Sequence, residues 1–591
     1  MEFGLIGNCS VAALIDPRAR INWFCLPRFD GDPVFHSLLG PGPEDPDDGA
    51  FSVELEGFRS SEQSYIPNTA ILRTVLRGDS GAVELLDFCP RFEARGRRFR
   101  PRMMIRRIRP LEGWPRVRVK VRPRFGWGRK APEITTGSNH CRFVGGQEVL
   151  RMTSDAPLDH VRTERLVNLN APWTFVLGPD ESLAESPADT GDRFFRETES
   201  YWRNWTRRLA VPLDWQEAVI RAAITLKLCS YEQTGGIVAA MTTSLPEAPG
   251  SGRNWDYRYC WVRDAFFTIR ALNGLAATRT MENYVQWLLN AVADADGGHI
   301  QPVLGLGLEE ALTETTADAL QGYRGMGPVR VGNQAHEHFQ HDTYGNIILG
   351  AAPAFFDRRL QSTPGLDAFR MLEPLGEQAW ALHDAPDAGI WELRTRARVH
   401  TSSSLMCWAA CDRLAKIARQ LGLASKSAFW AKRAGQIRRK ILDNAWSDKR
   451  QAFVESFGGE TLDASVLLMA EVNFLPPDDA RFVKTVDALS NTLGRGAFML
   501  RYEEADDFGL PEVGFNVCAF WRVDALARLG RREEACEYFE DLLSARSTLG
   551  LMSEDTAFDT GEGWGNFPQT YSMVGIVNGA MRLSRAWQAE L

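Results

Sequence analysis

Up to about residue 190, apolar residues come in short alternating runs separated by clusters of Gly, Pro and Asp. Alternation with a period of two puts every second side chain on one face, so these runs predict strands buried on one side only. Arg116-Val117-Arg118-Val119-Lys120-Val121-Arg122 is the plainest, with valines on one face and cations on the other. Strands at this density predict an antiparallel β-sandwich. Near Asp192-Arg193-Phe194-Phe195 the rhythm turns helical and stays so to about Arg208. Periodic apolar segments of helical length then recur near 213–235, 261–278, 280–294, 341–357, 366–383, 400–420, 425–443, 461–474, 479–491, 514–530, 532–546 and 568–588. The chain therefore divides into a β-sandwich domain (1–190), a helical linker (191–212) and a helical domain (213–591). Twelve helices is the number that two concentric rings of six require.

Composition adds bounds. A chain of 591 residues is too long for one ordinary core, which agrees with two domains. With 44% hydrophobic and 24% charged residues it reads as globular, and the net charge of −8 names no partner. Met1-Glu2-Phe3-Gly4-Leu5 lacks the basic and apolar regions of a secretory signal, and no apolar run reaches membrane-spanning length. Ten scattered cysteines form no CxxC pair and read as buried free thiols of a reducing compartment. These features predict a cytoplasmic protein without membrane contact. Most of the eighteen tryptophans read as core, although sugar faces also pack on indole rings.

Two glutamates stand out by their surroundings. Glu392 lies in Gly389-Ile390-Trp391-Glu392-Leu393-Arg394, and Glu554 in Gly550-Leu551-Met552-Ser553-Glu554-Asp555. Both fall in loops flanking predicted helices, where function concentrates. Paired carboxyls can supply an acid and a base across a glycosidic bond, and a tryptophan beside one of them can pack on a sugar face.

The run Asn254-Trp255-Asp256-Tyr257-Arg258-Tyr259-Cys260-Trp261-Val262-Arg263-Asp264-Ala265 resembles the signature of glycoside hydrolase family 15. So do Ile6-Gly7-Asn8-Cys9-Ser10, Trp23 to Asp30, Gly389 to Glu392 and Gly565-Asn566-Phe567-Pro568-Gln569, which together span nearly the whole chain. The family contains glucoamylases, glucodextranases and bacterial trehalases. The resemblance implies a β-sandwich followed by an (α/α)6 barrel, which both halves of the pattern match. It implies an inverting exo-acting α-glucoside hydrolase that needs no metal or organic cofactor. Its substrate would be an α-linked glucosyl oligosaccharide, an α-glucan or trehalose.

By the same resemblance Glu392 matches the general acid and Glu554 the general base. Asp555, Asp559 and Glu562 compete with Glu554, which alone fits the family's Gly-Leu, Ser-Glu pattern. The acid must keep its proton, and Trp391 as a low-dielectric neighbour would help it. Arg263 and Asp264 match the pair that grips the terminal glucose. Without the resemblance they read as a structural ion pair at a helix start. Trp255, Asp256, Trp261 and Trp391 are expected to line the pocket. Two positions depart from many bacterial relatives: Ser404 stands where a lysine is common and Met573 where a histidine is. Both bear on which substrate is preferred.

Other signals read as structural. His336, His338 and His341 lack the HExxH spacing of a zinc helix, so no metal is expected, and His341 is a candidate sugar contact. Residues 91–130 hold sixteen Lys or Arg against two Glu, but no nucleic-acid motif accompanies them. A solvated sheet face, or one turned to acidic loops of the helical domain, explains them better. Rival readings are a phosphorylase or glucosyltransferase on the same fold, and a non-catalytic carbohydrate-binding protein. The first would not need Glu554, and the second would need neither carboxyl.

Overall fold

The computed structural model describes residues 1–40, 45–295, 299–361 and 363–589. The N-terminal third is a sandwich of two antiparallel sheets, one of seven strands and one of eight. Alternation decides which side chains enter it. In the strand Arg116–Val121, Val117 and Val119 are buried in the core between the sheets, along with Phe24, Phe51, Leu85 and Ile108.

The basic stretch is matched by acids. Arg118 stands directly across from Glu54 on the neighbouring strand, and Lys120 reaches Asp47 at 2.7 Å. The half-exposed Arg118–Glu54 pair contributes only tenths of a kcal/mol, whereas Asp47 is buried beneath Lys120. Arg106 is different. It is fully buried and grips Asp87 through two hydrogen bonds of 2.7 and 3.0 Å. Removing either partner would strand a buried charge, at a cost of about 3–5 kcal/mol. Arg91 crosses to the helical domain, where it shares Glu232 with Lys227 at 2.5 and 2.9 Å. The stretch thus serves the sandwich and its junction with the helices.

Helix α1 (Leu158–Arg162) is a single short turn at the sandwich edge. Helix α2 (Pro187–Thr206) starts earlier than the expected linker. Ser186 caps it by accepting a hydrogen bond from Asp189 N at 3.1 Å, with Pro187 in the first turn. The twelve expected helical segments all hold helix: α3 (Gln216–Leu228), α4 (Val262–Gly274), α5 (Thr278–Asp294), α6 (Asp342–Phe356), α7 (Leu366–Leu382), α8 (Thr401–Gln420), α9 (Ala424–Asn444), α10 (Leu468–Glu471), α11 (Ala480–Leu493), α12 (Asn516–Arg528), α13 (Arg532–Ser544) and α14 (Thr570–Leu583). Segment 461–474 is shorter than its apolar pattern suggests. Asp463 caps a 3-10 turn, Ala464–Leu467, and α10 follows for one turn.

Alternate helices form an inner ring. α4 packs on α6, α6 on α8, α8 on the turn that leads into α10, α10 on α12, α12 on α14, and α14 closes the circle on α4. Burial separates the two rings. Nearly every residue of α6 is buried, whereas α9 buries Ser427, Trp430, Ala434, Ile437 and Ile441, one stripe at helical spacing. The connections are unequal too. Inner helices lead to outer ones through short segments such as 275–277, 421–423 and 529–531, while the returns, 229–261, 295–341, 383–400, 445–463, 494–515 and 545–569, are long. All the long segments gather at the N-terminal end of the inner ring. The sandwich docks against α3, and Trp23 donates to Met241 O at 2.8 Å across the junction. Among the described residues no helix is long and apolar enough to cross a membrane.

Candidate active site

The long connections enclose a cavity with about 910 Å³ of empty space, its mouth included. Seven of the expected site residues line it: Trp255, Trp261, Arg263, Asp264, Trp391, Glu392 and Glu554.

Glu392 is presented by a tight turn. Asp387 accepts a hydrogen bond from Gly389 N at 3.2 Å, and Glu392 N donates to Gly389 O at 3.2 Å. Glu392 itself sits at φ +60, a left-handed conformation that costs a residue with a side chain about 1–2 kcal/mol. Strain of this kind collects where a side chain must be aimed. Its Oε1 accepts from Trp261 Nε1 at 2.7 Å and from Arg263 Nη1 at 3.3 Å. Trp391 does not supply the expected apolar neighbour alone. Its Nε1 donates to buried Asp463 at 2.6 Å, and its ring packs against Phe515 and Trp521.

Glu554 is sealed in, with 1% of its surface exposed. Tyr257 OH donates to its Oε1 at 2.7 Å and Gln569 Nε2 at 3.3 Å. Gly565 has to be glycine: its φ is +74, and a Cβ there would meet the Glu554 carboxyl at 2.7 Å. Burial, reinforced by the nearby Glu247 carboxylate, pushes Glu554 up to about 8. The proton-retaining environment thus surrounds Glu554, while Glu392 lies beside a guanidinium. The raised Glu554 runs opposite to the expectation of an ionised base there. Tyr257 and Trp261 pack edge to face, centroids 5.2 Å apart, so two touching rings each hold one carboxyl.

Arg263 and Asp264 open α4 at the cavity wall. Arg263 Nη1 donates to Ile390 O at 2.7 Å, which ties α4 to the Glu392 turn. Burial raises Asp264 to about 6, against the pull of Arg263, whose Nε lies 3.6 Å from Asp264 Oδ1, an ion pair too long for a hydrogen bond. Tyr571 and Trp521, also at the wall, meet each other edge to face with ring centroids 6.0 Å apart. A buried carboxylate oxygen without a hydrogen bond suits a ligand rich in hydroxyls.

Two expected residues lie elsewhere. Asp256 is fully buried and clasps Arg258 at 2.9 and 2.7 Å, away from the cavity. The segment is extended, so Trp255 and Tyr257 face the cavity while Asp256 and Arg258 face the interior behind it. His341 precedes α6 and is buried behind the wall, its N–H donating to Asp387 at 2.9 Å. His338 reaches the cavity instead. Of the competitors to Glu554, Asp555 is buried outside the lining and Glu562 pairs with Arg324 at 2.7 Å. Ser404 donates to His383 O at 2.6 Å and Met573 is fully buried, so neither departure from the family pattern touches the cavity.

Several lining residues escaped sequence reading. Tyr257 and Gln569 sit inside the recognised blocks, so their spacing could have nominated them. Glu247 and Arg501 carry no local signal. They are ion-paired across the cavity wall although far apart in the chain.

The family model described as glycosyl hydrolases family 15 matches residues 214–580, and one described as trehalase-like, N-terminal matches residues 2–166. The trehalase of Mycobacterium tuberculosis is 31% identical, with 99% of this chain and 89% of that one covered. The trehalase of Mycolicibacterium smegmatis is 30% identical over 99% and 91%. That of Thermoplasma volcanium is 28% identical over 99% and 93%. A bacterial glucoamylase solved with acarbose superposes with a TM-score of 0.71 at 13% identity, covering 98% of this chain and 93% of that one.

Proposed function

Because the chain belongs to glycosyl hydrolases family 15 and is therefore a glycoside hydrolase, we propose that it splits α,α-trehalose into two glucose molecules by a single displacement. The observation that carries this reading is the convergence of Glu392 and Glu554 on one cavity from distant loops, with Arg263 and Asp264 beside them. The full-length trehalase relatives favour trehalose over longer glucans as the substrate.

In this mechanism Glu392 gives its proton to the bridging oxygen as the C1–O bond breaks and its electron pair stays with that oxygen. Glu554 takes a proton from a water that attacks C1 from the opposite face. Room for that water requires the carboxyls to stand roughly 6.5–9.5 Å apart. Asp264 accepts from hydroxyls of the glucose being attacked, and Arg263 donates to them. The attacked glucose leaves as the β anomer. The other retains the α configuration that it had in trehalose, because its own C1–O bond never breaks.

Each turnover therefore releases one α- and one β-glucose. Proton NMR in the first minutes, before mutarotation, should show equal amounts of both. Two α-glucose molecules per turnover would exclude the single displacement.

One observation favours a second reading in which the roles are exchanged. Burial first, and Glu247 next, favour a proton on Glu554. A group meant to donate a proton gains from such surroundings. The motifs assign the roles as stated above, and substrates with different leaving groups decide between the two readings.

A further inference from the structure

The segment 502–509, within the long connection between α11 and α12, brings Phe508 to the cavity. It is latched on two sides. On one side Asp506 forms a two-pronged pair with Arg253, Nη1 to Oδ2 at 2.6 Å, and Arg253 Nη2 also donates to Gly509 O at 2.8 Å. Both partners of this pair are more than nine-tenths buried. On the other side Asp507 accepts from Arg394 N at 2.7 Å and from the Thr395 hydroxyl. Arg398 pairs with Glu504 at 2.9 Å, and Arg396 donates to Ala505 O at 3.0 Å. The strap therefore bridges the segment before Trp255 and the segment after Glu392.

Its tip shapes the entrance. Phe508 meets Trp255 edge to face with centroids 5.1 Å apart, and the Arg394 guanidinium lies 4.5 Å from the Trp255 ring centre. All three line the cavity. Exposure marks depth: Phe508 is 40% exposed, while Asp264 and Tyr571 at the inner wall are 9% and 7%.

We propose that this strap limits the site to a disaccharide: Phe508, Trp255 and Arg394 form the seat of the second sugar, and the latched segment blocks the path a third sugar would take. The proposal rests on the trehalose reading and explains how the chain length of the substrate is restricted. Aromatic faces and a guanidinium are a chemistry that receives a sugar ring and its hydroxyls. A bidentate pair out of water holds its geometry better than an exposed one, so the wall does not yield to a longer chain.

The test compares kcat/KM on trehalose, maltotriose and maltoheptaose for the full chain, Asp506→Asn, Phe508→Ala and the charge-exchanged pair Arg253→Asp with Asp506→Arg. The ratio of oligosaccharide to trehalose activity should rise ~10-fold or more in the first two, as expected when a pocket contact that discriminates is removed. It should fall back toward the unmodified value in the exchanged pair. An unchanged ratio in both Asp506→Asn and Phe508→Ala overturns the strap. Phe508 lies at an exposed tip, so its replacement leaves the core intact even if the latch variant folds poorly. An unmodified chain that is inactive on trehalose overturns the trehalose reading itself, which is a separate outcome.

Discussion

Glu392 and Glu554 are the same residue in opposite settings. Glu392 stands on a strained turn with 21% of its side chain exposed and a guanidinium within 3.3 Å. Glu554 is enclosed, faces a phenol and an amide, and has Glu247 and Asp555 for neighbours. Residue type therefore says little about protonation here. Surroundings set it, burial first in the case of Glu554.

The comparison is broken most forcefully by removing each carboxyl in turn. Glu392→Gln and Glu554→Gln should each lower kcat on trehalose by roughly 10²–10⁴-fold, the usual share of general acid or base catalysis. α-Glucosyl fluoride separates them, because fluoride leaves without protonation. Glu392→Gln should keep a larger share of its activity on the fluoride, and Glu554→Gln should lose both activities. The reverse pattern would establish the exchanged roles.

Asp264→Asn comes next. A buried carboxylate oxygen without a hydrogen bond at the wall suits a charge-assisted hydrogen bond to a sugar hydroxyl, worth ~1.5–3 kcal/mol. Steady-state kinetics should show kcat/KM reduced by ~10- to 100-fold. Unchanged kinetics with a lower Tm would mean that Asp264 only pairs with Arg263.

The smallest effect is the most discriminating. With Glu554 held at about 8, a base at this position makes kcat/KM climb as pH rises through that value, because only the ionised form accepts a proton. An acid there makes it fall over the same window. Glu247→Gln removes a negative charge that raises Glu554, so the limb should move to lower pH in either case. The pH–rate profiles of the two proteins read both outcomes. A limb that stays in place would detach it from Glu554.

The helical half was legible because outer helices such as α9 bury one periodic stripe and inner ones such as α6 are apolar over a helical length, and both signals survive in the sequence without knowledge of their partners. Glu392 and Glu554 were legible through motifs. Asp256 was misplaced although it lies within a motif, since an extended segment sends alternate side chains to opposite sides and only Trp255 and Tyr257 face the cavity. The proton affinity of Glu554 was not legible at all. It depends first on burial and then on Glu247, which arrives from a loop some three hundred positions earlier and joins Arg501 across the wall. No local pattern encodes such a meeting.

The unequal connections of the barrel divide its two ends by purpose. The short turns, such as 275–277 and 529–531, fix the spacing of the rings and leave little freedom for change. The long returns build the cavity at the N-terminal end of the inner ring and also feed the core, as where Arg522 of α12 donates to Gly496 O and Ala497 O. Exchanging 494–515 would alter one part of the cavity wall, while Glu392 and Glu554 stay in place on two other returns, 383–400 and 545–569.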